Sequence, residues 1–325
     1  MTVTRFGLQI PSFTYPGVSD ASLFETIASI AGAAERAGFD SVWVMDHFYQ
    51  ISVNGARTEP MLEAYSLLAA IAARTELAQL GTMVTGVTYR NPAMLAKIVT
   101  TLDVISGGRA ILGIGAAWNE DEHRGYGFDF PPLRERFERL EDAVQICRAM
   151  FTQETPSFEG RHHRIEGALN FPRPTRPGGP PILIGGSGER RTIPLLARHA
   201  DACNFFGDVA TVRHKLDVLD RCCEEIGRDP GEITKTRLGA VVIAPTSDEA
   251  ERKLTHVIEI RNLDPERVRA SFIIGDPDSV GEQVDAFMDA GLDGMLISLP
   301  DAHDIETVEL AARTLAGRLG SATAV

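Results

Sequence analysis

Gly107-Gly108-Arg109-Ala110-Ile111-Leu112-Gly113-Ile114-Gly115-Ala116-Ala117-Trp118-Asn119-Glu120 decides the fold. A paired-glycine turn leads into a short apolar run, Ala110 to Ile114, without polar alternation. That is the pattern of a strand covered on both faces. The run ends in small residues, then an aromatic, an amide and an acid. Glycine weakens a strand unless something approaches the backbone closely. Gly113, Gly115, Ala116 and Ala117 therefore fit either a flat ligand lying on the strand's C-terminal end or a crowded barrel interior.

Working outward, apolar runs of the same kind recur at 6–10, 41–45, 77–84, 181–184, 201–206, 236–243 and 294–299. Between them lie stretches of helical periodicity at 21–37, 61–74, 92–105, 133–151, 189–198, 209–226, 247–271, 278–290 and 305–319. Asp20 is the expected cap of the first helix, and Gly38 its C-terminal stop. Pro92 opens another helix at a position where its missing N–H costs little. Strands alternating with helices predict an α/β protein with a parallel sheet, and the count fits a (β/α)8 TIM barrel occupying 1–325 as one domain. An open doubly wound sheet would place a glycine-rich turn after the first strand, and Gln9-Ile10-Pro11-Ser12 is not one. Residues 152–180 read as an insertion, with a hairpin near 157–161 and a proline-rich connection that shape the pocket.

The chain has 325 residues, 44% of them hydrophobic, and a formal net charge of -13. That charge speaks against a nucleic-acid or anionic-membrane surface, which needs clustered Lys and Arg. The 4 cysteines (Cys147, Cys203, Cys222, Cys223) lack zinc-site spacing and read as reduced, buried thiols. Neither a leader segment nor a membrane span is legible, so a cytoplasmic protein acting on a small molecule is expected. The 8 histidines do not converge as metal ligands would, and no metal site is expected. His162-His163 falls in the insertion, where it reads as hairpin polarity or a substrate-side contact.

In such barrels chemistry sits at the C-terminal ends of the strands. Those ends collect Gln9, Asp46, His47, Met83, Val84, Thr85, Ala116, Ala117, Trp118, Asn119, Gly186, Ser187, Gly188 and Phe206. His47 is the leading candidate for proton transfer, because the imidazole is the side-chain type suited to proton exchange and Asp46 beside it can bias its charge or tautomer. The competing reading makes Asp46 a loop cap and His47 a structural histidine. Gly185-Gly186-Ser187-Gly188, between a strand and a helix, suits either a phosphate cradle of converging N–H groups or a plain turn. It lacks the lysine of a nucleoside-triphosphate loop.

Several segments together resemble the bacterial luciferase-like monooxygenase superfamily, and within it the oxidoreductases that use the deazaflavin coenzyme F420. They are Gly38-Phe39-Asp40-Ser41-Val42-Trp43-Val44-Met45-Asp46-His47, Leu80-Gly81-Thr82-Met83-Val84, Tyr89-Arg90-Asn91-Pro92, Ser106-Gly107-Gly108-Arg109, Leu112-Gly113-Ile114-Gly115 with Trp118, Ile184-Gly185-Gly186-Ser187-Gly188 and Ala290-Gly291-Leu292-Asp293-Gly294. The resemblance implies hydride transfer between F420 and an organic substrate; the alternatives are an FMN-dependent monooxygenase that uses reduced flavin and dioxygen, and a non-catalytic flavin- or deazaflavin-binding protein. It implies a non-proline cis peptide between Met83 and Val84 that props the ring, a phosphate site at Gly186, Ser187 and Gly188, and ring contacts from Asp46. It also implies an acid–base or substrate-facing role for His47, and a homodimer formed through helices 61–74 and 92–106. With it, Gly115, Ala116, Ala117, Trp118, Gly185 and Phe206 join the expected cofactor pocket. Ala117 stands where many relatives have glycine. The sugar-phosphate dehydrogenases of the family carry a catalytic glutamate that this chain does not have at Trp118, which speaks against a sugar-phosphate substrate.

Overall fold

The apolar runs become eight strands: Phe6–Ile10, Ser41–Val44, Gln79–Thr82, Ala110–Gly115, Ile182–Gly185, Ala202–Phe205, Thr234–Ile243 and Gly294–Ser298. All their mutual pairings are parallel, and the last strand returns to the first with Phe6 opposite Met295. The sheet therefore closes, and the expected (β/α)8 barrel is the architecture of this computed structural model, which describes residues 5–319. Closure pairs each of these eight strands on both sides, and helices between the strands cover the outside.

Local chemistry sets the helix ends. Gly38 adopts φ 102° and stops Leu23–Ala37. Asn91 caps Pro92–Ser106 by accepting from the N–H of Ala93 and Met94, and Gly107 at φ 69° ends it. Asp20 does not cap the first helix as expected. It opens a short turn, Asp20–Ser22, in which the Ser22 hydroxyl accepts from the Ser19 N–H. Arg109, part of the glycine turn, is structural: its guanidinium donates to the carbonyls of Ala72, Thr75, Ala78 and Ser106.

The structure departs from the sequence reading elsewhere as well. A helix not foreseen, Glu120–Tyr126, follows the Ala110–Gly115 strand. The helical stretch 247–271 is split at Asn262, which takes φ 49°, into Ser247–Arg261 and Pro265–Ser271. A three-residue strand, Ile273–Gly275, then pairs along the end of Thr234–Ile243. The insertion does form a hairpin, Phe158–Glu159 against Arg164–Ile165. It packs on the outer helices and not on the pocket. The Asp142 carboxylate accepts from the backbone N–H of Arg161, His162 and His163, and His162 pairs with Glu138 at 2.9 Å.

The third strand carries the feature that shapes the barrel mouth. The Met83–Val84 peptide is cis, as the resemblance implies, and the chain resumes as Thr85–Gly86 paired with the end of Ala110–Gly115. Gly113 lies directly under this bulge. A Cβ there would stand 1.8 Å from the Thr82 carbonyl oxygen. Of the two readings of the glycine-rich strand, Gly113 thus answers to crowding by the neighbouring backbone.

Candidate active site

A cleft of about 320 Å³ opens at the C-terminal ends of the strands. It brings together Asp46, His47, Met83, Val84, Gly115, Ala116, Ala117, Trp118, Gly185, Gly186 and Phe206. Ser187 and Gly188 lie further along the same loop and do not border it, and neither do Gln9 and Asn119. Gly115 and Gly185 are small for the sake of Val84: a Cβ on either would come within 2.9 Å of a Val84 methyl. The Val84 side chain thus stands as a wedge in the cleft wall.

His47 is held by a residue that the sequence did not single out. Its Nδ1 lies 2.8 Å from Oε2 of Glu122. Glu122 is fully buried, and its other contacts are all with donors: the N–H of Phe48 at 2.6 Å, the N–H of Tyr49 at 2.9 Å and the Tyr89 hydroxyl at 2.7 Å. Burial alone would raise this carboxyl, but His47, the Tyr49 amide and the Tyr89 hydroxyl outweigh it and hold the group below the usual glutamate value. Trp118 meets the His47 ring edge-on at 5.5 Å and is 63% exposed. Phe206, 52% exposed, forms another part of the rim.

Asp46 has a different partner from the one expected. The Asp46 carboxylate is forked by Arg90, at 2.6 and 3.1 Å, and Arg90 also reaches Glu63 at 2.6 Å. Complete burial pushes the Asp46 carboxyl up, and Arg90 opposes it. Beneath, Tyr65, Thr85 and Thr82 form a hydroxyl chain, 2.7 and 2.9 Å, that ends on the Gly113 carbonyl. The Asp46 half of the site is thus an ion pair on a hydrogen-bonded floor.

Asn204 also borders the cleft and was not foreseen. The Thr236 hydroxyl donates to the Cys203 carbonyl at 2.8 Å, so toward Asn204 it offers only lone pairs. The amide nitrogen of Asn204 must therefore face Thr236, at 2.9 Å. That leaves Oδ1 buried without a partner. A buried acceptor in this position suits a ligand that brings an N–H or O–H. At the far end, Gly186, at φ 117°, and Thr192 precede and open the helix Thr192–His199. Its N-terminal N–H groups suit an anion. Among the described residues that line the cleft there is no lysine or arginine.

The missed residues left faint signals. Glu122 hides in an acidic run, Glu120-Asp121-Glu122, that resembles a solvated loop, and its partners lie 33 positions away at Tyr89 and 73 to 75 away at His47, Phe48 and Tyr49. Tyr89 and Arg90 belong to the Tyr89–Pro92 segment of the resemblance, but nothing local ties them to Glu122 or Asp46.

The luciferase-like monooxygenase family model matches residues 4–264. A protein of Nocardia farcinica named F420-dependent glucose-6-phosphate dehydrogenase is 33% identical, over 90% of this chain and 93% of its own. Among solved structures, a monooxygenase from Streptomyces bottropensis superposes with a TM-score of 0.82 at 22% identity, covering 96% of this chain and 99% of that one. The coenzyme F420 dependent tetrahydromethanopterin reductase of Methanopyrus kandleri gives 0.79 at 18%, covering 97% and 99%. The two structures share the fold, and the family model and the Nocardia relative carry the assignment: this chain belongs to the luciferase-like monooxygenase family.

Proposed function

We propose that this chain is an F420-dependent oxidoreductase that moves a hydride between the deazaflavin and a small organic substrate without a phosphate. The observation that carries it is the 33% identity, over 90% of the chain, to a relative named for F420-dependent dehydrogenation. The residues of the cleft fit such a group. The orphaned Oδ1 of Asn204 would accept an imide N–H of the ring, and the Met83–Val84 bulge with its valine wedge would support the ring's face. Gly186 and Thr192 would meet the phosphate through the helix N-terminus. When bound, the deazaflavin supplies two-electron hydride chemistry, and the protein supplies binding, orientation and proton handling.

His47 is the proton-transfer residue of this proposal. Nδ1 is taken by Glu122, and Nε2 has no hydrogen-bond partner among the described residues. Trp118, Phe206, Leu133 and Phe137 give the cleft an apolar wall. With no lysine or arginine among the described residues that line it, a sugar phosphate would find no cation there, which is why the substrate is proposed to lack one.

The test is a side-by-side fluorescence titration with F420 and FMN. F420 binding at least about tenfold tighter than FMN is expected, a difference of about 1.4 kcal/mol. The reverse order would make this a reduced-flavin, oxygen-using enzyme, and binding of neither would remove the reading. We also propose a homodimer through Ala64–Ala72 and Pro92–Ser106, supported by exposed Met94 and Ile105 on the second helix. Light scattering at twice the chain mass is the expected result. A cytoplasmic setting is consistent with the four free cysteines.

A further inference from the structure

We infer that Glu122 is the positioning residue that fixes the tautomer and orientation of His47, so that Nε2 becomes the atom that exchanges a proton with the substrate; this rests on the hydride-transfer reading above. What Glu122 can accept decides the tautomer. Oε1 receives two backbone N–H groups, from Phe48 and Tyr49, and these cannot act in any other way. Oε2 receives the Tyr89 hydroxyl and faces Nδ1 of His47. Two amide donors close Oε1 to a proton, and with the Tyr89 hydroxyl on Oε2 they favour the ionised form, which holds the group below the usual glutamate value as a carboxylate. An acceptor-only carboxylate requires Nδ1 to carry hydrogen. The neutral ring then has its lone pair on Nε2.

Orientation follows from the same four contacts. Phe48 and Tyr49 follow His47 directly, so one side chain clamps both the imidazole and the loop that presents it. Glu122 is fully buried and does not border the cleft, so it acts on substrate only through His47. The neighbouring His123 is the internal contrast. Its Nδ1 is spent on the Asn119 carbonyl at 2.7 Å and its Nε2 on the Thr88 hydroxyl at 2.6 Å, which leaves no nitrogen for chemistry. Asp46 cannot substitute for Glu122, because Arg90 holds both its oxygens.

For an alcohol substrate the step balances without a further reagent. Oxidised deazaflavin, which Asn204, the Met83–Val84 bulge and Gly186 would hold, would supply the acceptor for the carbinol hydride. The O–H proton goes to Nε2, and the oxygen electron pair completes the carbonyl. In the reverse direction the protonated ring returns the proton.

The experiment compares wild type, Glu122→Gln and Tyr89→Phe. Long-range 1H–15N spectra of the imidazole rings report the His47 tautomer directly, with His47→Asn giving the assignment. Wild type is expected to show the Nδ1–H form, and Glu122→Gln to lose it. In Glu122→Gln, kcat should fall on the order of 100-fold, the scale of general acid–base assistance, with F420 Kd within about threefold of wild type. Tyr89→Phe removes one of four contacts and should keep the tautomer with a fall in kcat of less than about tenfold. An Nε2–H tautomer in wild type overturns the inference, as does near-normal turnover in Glu122→Gln. If Glu122→Gln does not fold, the wild-type spectrum decides between the two tautomers on its own. If wild type binds no F420, the functional reading fails while the tautomer still decides the pair.

Discussion

Replacing Gly113 by alanine puts a methyl where the third and fourth barrel strands nearly touch. The new Cβ would lie 1.8 Å from the Thr82 carbonyl oxygen. An ordinary carbon–oxygen contact is about 3.3 Å, so the strands must separate by on the order of 1.5 Å. Backbone cannot rotate out of the way as a side chain can. Overpacking of this kind costs about 3 kcal/mol at its upper end. Separation also strains the 2.8 Å bond from the Thr82 hydroxyl to the Gly113 carbonyl, which adds about 1 kcal/mol. The thermal midpoint should fall by on the order of 5–10 °C. Because Thr82 immediately precedes the Met83–Val84 bulge, F420 affinity should fall with it, by roughly tenfold. Gly107→Ala is the control: it sits at φ +69° with nothing within 4 Å of its Cβ, so only the left-handed penalty of about 1–2 kcal/mol applies. Differential scanning fluorimetry and cofactor titration read both effects. Equal melting of Gly113→Ala and Gly107→Ala, with F420 affinity unchanged, would refute the close approach as the reason for glycine at 113.

Ala117 takes φ 59°, so Ala117→Gly should leave the fold intact and raise stability by up to about 1 kcal/mol in a melting experiment, the gain offset in part by the freer unfolded chain. Arg90→Met strands the buried Asp46 carboxylate and should cost about 3–5 kcal/mol in urea denaturation, with part recovered in the double variant Arg90→Met/Asp46→Asn. Glu122 titrates below its usual 4.5 in the fold, so its contribution to stability is complete above that pH and is lost as pH falls through the lowered value. Urea midpoints measured from pH 6 to pH 3 should therefore fall less steeply for Glu122→Gln than for wild type. Trp118→Ala and Phe206→Ala remove exposed rim side chains; KM should rise several-fold with the melting temperature within about 1 °C of wild type.

The barrel was legible because its signals are local. A strand buried on both faces must be apolar throughout, and Ala110 to Ile114 is. Asn91-Pro92 and Gly38 announce helix ends through their own side chains or lack of one. The site was legible only where it borrows from those strand ends, as His47, Val84 and Trp118 do. What failed was partner assignment. Asp46 and His47 are neighbours in sequence, yet the backbone sends them to Arg90 and Glu122, 44 and 75 positions away. Glu122 was unreadable because a buried carboxylate is specified by donors from elsewhere in the chain. The three-residue strand Ile273–Gly275 is too short for any periodicity to show.

That small strand has a consequence for how the protein breathes. With Ser247–Arg261 and Pro265–Ser271, its Ile274 packs on a small core of Val242, Leu254 and Val268, while its Ile273 belongs to the cluster that fills the barrel wall. Cooperative opening follows the boundaries of such clusters. Residues 247–272 are therefore expected to open before the barrel, with Ile273 and the Lys253 contacts to Asp301 and Thr307 as the ties that must break first. Their amides should exchange with solvent deuterium together, and earlier than those of Phe6–Ile10 or Ala110–Gly115. A protease would find its first cut there, leaving the cofactor cleft assembled.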